Sequence, residues 1–449
     1  MLLVLTENED LTMLALHNGE VARLVKDSYE LKYLQNISLL LHEKNVFGFP
    51  ALENGLFPAA VVAASTEYTG YAAVWVRDNI YVAYSHYILG ETDVALKTVN
   101  CLMKYFQKHK IRFENIIDSQ VDPRNVMERP HIRFNGENLE EINQSWEHAQ
   151  NDALGYFLWF YCKLVSDKAL QPTQQDAEIL ALFPLYFGAV SYWQDEDSGH
   201  WEEARKVEAS SIGVVVASLK ALKQLSMEPF ISHCCQYKDM PITIELLDDL
   251  ICKGVDALDH ILPSECIQSG KERRYDSALL FLIYPLQILD NEIADQIVSD
   301  VVEKLQGQYG IPRYLGDSFW CRDYEDIPES IRTSISTERE QWLIENGRAL
   351  KDGEEAQWCI FDPILSIIFG MKFQKTQKVE FLEKQTFYLN RSLGQLTVED
   401  FKIGGFKCPE LYYLKGSNYV PNDATPLLWT QANLRIAFKV MEQSLSLKN

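Results

Sequence analysis

The sequence predicts an all-α chain, and three observations carry that expectation. Apolar residues recur at spacings of three and four in twelve separate segments. Several loops between those segments are long and loaded with Trp, Tyr, Arg and Asp, where a plain linker would be rich in Ser and Gly. No Pro/Gly/Ser-rich linker, charge block, low-complexity tract or short repeat divides the chain. Twelve helices of similar length either stack as a solenoid or close into a ring with six inner helices surrounded by six outer ones. A ring gathers the loops at one end of its inner helices around a common pocket, which accounts for chemistry carried in loops.

The elements follow in chain order. The stretch from Met1 to Asp10 has no basic region, and its apolar run stops before acids arrive, so no signal peptide is expected. Helical periodicity then covers about 29–42, 79–89, 94–109, 149–166, 175–192, 210–225, 242–262, 276–289, 292–305, 358–371, 378–391 and 426–445. Residues 131–136 alternate like a strand and predict a small hairpin beside the pocket. The segments 111–146 and 309–337 are expected as long functional loops. Residues 1–45 are read as an N-terminal segment whose first helix packs on the barrel, and 46–449 as the ring domain.

Composition narrows the function. The 449 residues hold 42 Lys plus Arg against 64 Asp plus Glu, a net charge of −22, which leaves no cationic excess to displace counterions from nucleic acid or to dock on an anionic membrane. No apolar run approaches the roughly 20 residues of a membrane helix. Nine cysteines show no C-x-x-C spacing and are odd in number, so a reducing cytoplasm is expected, with neither a zinc site nor a disulfide framework. The histidines form no H-E-x-x-H motif, and there is no phosphate loop or G-x-S-x-G elbow, so no metal or cofactor is called for.

Four segments carry chemistry. In Gly199-His200-Trp201-Glu202-Glu203, two adjacent carboxylates in non-helical backbone project to different sides. One can face a reacting bond while the other binds ligand hydroxyls, and a carboxyl against Trp in a dry pocket has the raised pKa a general acid needs. Two solvated glutamates before a helix explain the same residues more plainly. Trp75-Val76-Arg77-Asp78 places an Arg-Asp pair behind a Trp, either as a sugar clamp or as a helix start capped by Asp78 or Asn79. Trp146, Gln150 and Asp152 precede another apolar helix, and Arg313 sits in a Gly/Pro-bounded turn. Four such clusters at helix–loop junctions of one ring fit a carbohydrate ligand.

The ordered segments around Trp75, Trp146, Trp201, Asp276, Arg313 and Pro426-Leu427-Leu428-Trp429-Thr430-Gln431-Ala432 resemble glycoside hydrolase family 15 over about 45–445. This glucoamylase family includes the amino-terminal domains of phosphorylase kinase alpha and beta subunits. The resemblance implies an (α/α)6 toroid and inverting, exo-acting hydrolysis of α-linked glucosides or maltooligosaccharides. It implies Glu202 as general acid and Glu203 as a substrate-binding carboxylate. Trp75, Arg77, Asp78, Trp146, Gln150, Asp152, Trp201, Arg313 and Trp429 would complete the substrate site.

Inversion needs a second carboxylate, roughly 6.5–9.5 Å from the acid, to activate water. The resemblance to bacterial members puts that base at Asn433, where an amide cannot accept a proton. Asp423 or Asp276 is the expected substitute. The segments 208–213 and Cys408-Pro409-Glu410-Leu411-Tyr412-Tyr413 lean toward the kinase-subunit branch, so a non-catalytic glucan-binding protein with a protein partner is the alternative. An inverting phosphorylase is a third reading, because phosphate is itself a competent nucleophile.

Overall fold

The computed structural model describes residues 2–4, 14–16, 18–61, 70–332 and 334–448, so most of the stretch read for a leader lies outside the described residues. The ring is built from α1 (Leu31–Glu43), α2 (Val76–Ile88), α3 (Thr92–Lys108), α4 (Asn151–Ser166), α5 (Gln174–Ala189), α6 (Ala209–Leu225), α7 (Ile244–Ile261), α8 (Leu280–Ile283), α9 (Asn291–Lys304), α10 (Phe361–Thr376), α11 (Val379–Gly394) and α12 (Leu428–Lys448). The even-numbered helices form the inner wall. Each packs on the next, and α12 packs back on α2, so the wall closes where a solenoid would stay open. The helices α3, α5, α7, α9 and α11 each cover the inner helix before them, and α1 covers α12.

This division follows from apolar patterning. Outer α7 buries Leu247, Leu250, Ile251, Leu258 and Ile261 at helical spacing and leaves its other face to solvent. Inner α2 and α4 are buried on all sides, from Val76 to His86 and from Asn151 to Cys162. Each large aliphatic side chain so removed from water contributes about 1.5–3 kcal/mol before conformational entropy is subtracted.

The expected helix over 276–289 is the one that shrinks most. It is a 3-10 turn, Ser277–Leu279, followed by the single turn of α8, after which Tyr284 is extended. Pro285 disfavours a helical conformation at the residue before it and supplies no N–H, which stops the helix there. Short helices over Ile111–Ile117, Pro229–Cys234, Glu329–Arg332 and Ser336–Glu345 occupy segments expected as loops or connections.

Two small antiparallel sheets sit at the same end of the ring as the inner-helix entries. Arg133–Asn135 pairs with both Val74–Trp75 and Glu140–Glu141, which is the expected hairpin with Trp75 added as a partner of Arg133. In the second sheet, Leu411–Lys415 pairs with Gln357–Trp358 and with Asn418–Pro421. No described helix is long and apolar enough to cross a membrane.

Candidate active site

The segments that enter the inner helices converge on one pocket, with a cavity of about 130 Å³. Trp75, Arg77 and Asp78 come from the start of α2, Trp146 from the approach to α4, and His200, Trp201 and Glu202 from the turn before α6. Arg313 and Phe319 come from the loop after α9, Trp358 from the strand before α10, Glu410 from the position just before the central strand of the second sheet, and Trp429 from the first turn of α12.

The turn from Ser198 to Glu203 decides where the paired glutamates point. Gly199 and Glu202 both have positive φ, +56° and +57°, a region that a non-glycine residue occupies only when its surroundings hold it there. The Glu203 amide donates to the Ser198 carbonyl at 3.1 Å and closes the turn. Glu202 consequently faces the pocket, where Arg77 donates to its Oε1 at 2.7 Å. Arg77 also donates to Asp152 at 2.8 Å and to Gln150 at 3.1 Å, so residues from three inner-helix entries meet at one guanidinium.

Glu203 turns the other way. It is buried and accepts from Arg313 at 2.9 Å, from Arg273 at 3.1 Å and from the Tyr314 hydroxyl. Arg313 is fixed from its other side by a bidentate pair with Asp317, with both contacts at 2.6 Å. Its guanidinium lies 5.3 Å from the centroid of Trp201 and 5.0 Å from that of Trp358. Trp75 and Trp146 meet edge to face at 5.5 Å.

Electrostatics separate the two neighbours. Burial raises Glu202 to about 7, with Arg77 pulling it down and Asp78 pushing it up. Burial also penalises the charged form of Glu203, but Arg313, Arg273 and Lys206 outweigh it and hold that carboxyl well below the ordinary range. Asp78 is lifted to about 6, chiefly by burial and against the pull of Arg77.

The other carboxyl in the lining is Glu410, which sequence reasoning passed over as a site residue. It is buried and accepts from the Tyr71 hydroxyl and the Asn422 amide. Burial pushes it to about 7, partly offset by those two hydrogen bonds and by Arg313. Its signal in the sequence was a lone acid inside an apolar, aromatic run, Cys408-Pro409-Glu410-Leu411-Tyr412-Tyr413.

The three residues considered for the base lie outside the pocket lining. Asn433 is wholly buried one turn beyond Trp429 on α12, about 6 Å along the axis, and donates to the Ile360 carbonyl at 3.2 Å. Asp276 is buried behind Trp201, accepting from its indole at 3.0 Å and from Arg273 at 3.1 Å. Asp423 pairs with Lys402 at 3.3 Å near the surface. Gln150, Asp152 and Glu203 likewise lie outside the lining and act on it through Arg77 and Arg313, and Asp152 also stands 3.8 Å from the His200 ring. Asn79 does not cap α2 at its first residue; it donates to the carbonyls of Phe57 and Trp75 and accepts the Phe57 amide, which ties an earlier loop to the helix start.

Known proteins with the same architecture place this geometry in context. Residues 44–347 match the model described as "Glycosyl hydrolases family 15". A probable phosphorylase b kinase regulatory subunit alpha of Caenorhabditis elegans is 24% identical over 420 residues, covering 83% of this chain and 31% of that protein. The skeletal-muscle alpha subunit of Oryctolagus cuniculus is 24% identical over 387 residues, covering 80% and 29% respectively. The chain thus spans about a third of the length of these relatives. Among solved structures, a glycosidase in complex with glucose aligns over 95% of this chain and 98% of its own, with TM-score 0.60 and 14% identity. The glucoamylase of Saccharomycopsis fibuligera aligns over 94% and 97%, with TM-score 0.59 and 13% identity, so both share the fold.

Proposed function

This chain belongs to glycosyl hydrolase family 15, and from that premise we propose that it hydrolyses a non-reducing-end α-glucoside with inversion, using Glu202 as general acid and Glu410 as general base. One observation carries the reading: Glu202 and Glu410 open into the same aromatic pocket from different walls, and each is held by different partners. A carboxyl near 7 keeps enough of its proton at neutral pH to deliver it to a glycosidic oxygen. Glu410 accepts from two neutral donors and has no cation paired to it among the described residues, which leaves its carboxylate basic enough to take a proton from water.

The sugar ring would lie between Trp75, Trp146 and Trp429, with Asp78 and Arg77 on its hydroxyls. Glu203 would act through Arg313, holding that guanidinium against the ring's polar edge. This revises the expectation at Asn433: with Glu410 as base, no carboxylate is missing and no substitute is required.

Incubation with maltose, isomaltose, trehalose and maltooligosaccharides, followed by NMR of the released anomer, tests the proposal. β-Glucose released by the wild type, and lost by about 10²-fold or more in Glu202→Gln and in Glu410→Gln, is the expected result. Turnover that survives Glu410→Gln removes Glu410 from the role of base. A second reading is favoured by the likeness to kinase regulatory subunits: a sugar-binding domain that acts on a protein partner. Calorimetric binding of maltooligosaccharides without any turnover would support it over hydrolysis.

A further inference from the structure

Beyond Trp358 the pocket carries a positive charge that forms no salt bridge among the described residues, and the carboxyl of the neighbouring Glu340 acts on it only at longer range. Arg339, on the helix Ser336–Glu345, lines this wall and is 5% exposed. Its guanidinium donates to the Ser334 carbonyl and, more weakly at 3.4 Å, to the Ser318 hydroxyl, and it lies 5.6 Å from the centroid of Phe319. No Asp or Glu oxygen of the described residues lies within 4.0 Å of it. Arg77 and Arg313, in the same pocket, hold two carboxylates each. Of the seven buried arginines, Arg133 and Arg339 alone form no salt bridge among the described residues, and of these two only Arg339 lines the pocket; an enclosed guanidinium served by neutral acceptors is costly without a counter-charge.

The position of this charge orients a ligand. The carboxyls of Asp78, Glu202 and Glu410 all act on the Tyr71 hydroxyl and so share one part of the pocket, whereas the rings of Phe319, Trp358 and Trp201 form a row leading from Arg339 toward the acid, with successive centroids 6.0 and 5.9 Å apart. Arg332 lines the same wall as Arg339. A neutral glucosyl unit suits the acidic end, and an anion suits the other.

We propose that this wall, centred on Arg339, binds an anionic group, phosphate or carboxylate, carried on the leaving-group side of the α-glucoside. The inference rests on the α-glucoside reading given above and adds the class of substrate to it. Charge-assisted, forked bonds from an arginine to an oxyanion supply the recognition, and the bond broken and the roles of Glu202 and Glu410 are unchanged.

The test compares paired probes that share a carbon skeleton and differ by an anionic group beyond the glycosidic oxygen: maltobionate against maltitol, both open-chain at that end, and trehalose 6-phosphate against trehalose. Turnover is read as kcat/KM and binding by calorimetry, at low salt and pH 7.5. The expected result is a preference of about tenfold or more for at least one anionic partner, expressed mainly in KM. Arg339→Gln should abolish that preference and Arg339→Lys should keep part of it, with thermal unfolding confirming that both variants fold. Hydrolysis with no preference for either anionic probe overturns the inference and leaves the hydrolase reading intact. Anion-selective binding that depends on Arg339 but comes with no turnover overturns the hydrolase reading and supports the anion wall. Inorganic phosphate provides the last arm: phosphate-dependent release of glucose 1-phosphate would make the anion a nucleophile and overturn its assignment to the leaving group.

Discussion

Glu202 and Glu203 are joined by one peptide bond, yet they answer to different arginines: Glu202 accepts from Arg77 at 2.7 Å and Glu203 from Arg313 at 2.9 Å. The positive φ of Glu202 turns the two side chains onto separate networks. Burial dominates at Glu202, which is lifted to about 7, while surrounding cations dominate at Glu203, which stays ionised. Two identical side chains thereby differ in protonation at neutral pH, with Glu203 ionised and Glu202 keeping a substantial share of its proton.

Activity should depend on pH through both Glu202 and Glu410. An acid at Glu202 must be protonated, so its contribution falls as pH rises through about 7. A base at Glu410 must be ionised, so its contribution falls as pH drops through about 7. The kcat/KM profile for a neutral glucoside should therefore be a narrow bell centred near neutrality. A flat rate from pH 7 to 9 would show that Glu202 does not deliver the proton.

Stability should respond to Glu410 with a defined sign. Its pKa is raised from 4.5 to about 7 in the folded chain, so the native state binds the proton more tightly and loses stability as pH climbs through that window. Glu410→Gln removes the cost of ionisation. The Gln amide can donate to the Asn422 Oδ1, which has no partner among the described residues. The variant should be more stable than the wild type by about 1–3 kcal/mol at pH 8, with the gain shrinking toward pH 5. Denaturant melts at the two pH values check this.

Arg77 should be costly to remove. It is 4% exposed and holds both Asp152 and Glu202. Arg77→Ala leaves a buried aspartate without its cation, and a loss of about 3–5 kcal/mol in unfolding free energy is expected. Adding Asp152→Asn to that variant should recover part of the loss, since the stranded charge is then gone. No recovery would mean that packing, and not charge, makes Arg77 important.

Asn433→Glu is expected to damage the fold without creating a base. The position is fully buried on α12, and its Oδ1 has no hydrogen-bond partner among the described residues. A carboxylate there would be buried without a cation, at several kcal/mol. Thermal unfolding should show a large drop, and glucosidase assays no gain. Restored or increased hydrolysis would instead return the base to this helix.

Much of the fold was legible because patterning and burial agree. Outer helices such as α7 show the apolar spacing their single buried face demands, and the Trp-rich junctions at Trp75, Trp146 and Trp201 mark the pocket end. The helix Ser336–Glu345 was not legible, since it buries only Ser336, Arg339 and Leu343 and carries no apolar stripe. Within the site, motif order singled out Glu202 and Arg77. It could not single out Glu410, whose position depends on pairing between Leu411 and Trp358, residues more than fifty apart in the chain. A contact set by sheet register leaves no local periodicity to read.

The closure of α12 on α2 has a consequence for how the chain is made. Trp429, in the first turn of α12, lies 4.6 Å from Tyr81 of α2, so the pocket's wall is sealed by the first and last members of the inner ring. During synthesis the apolar flank of α2 must wait until more than three hundred further residues have emerged before its partner arrives. That long-range seam should fold late and give newly made chains an extended period of dependence on chaperones.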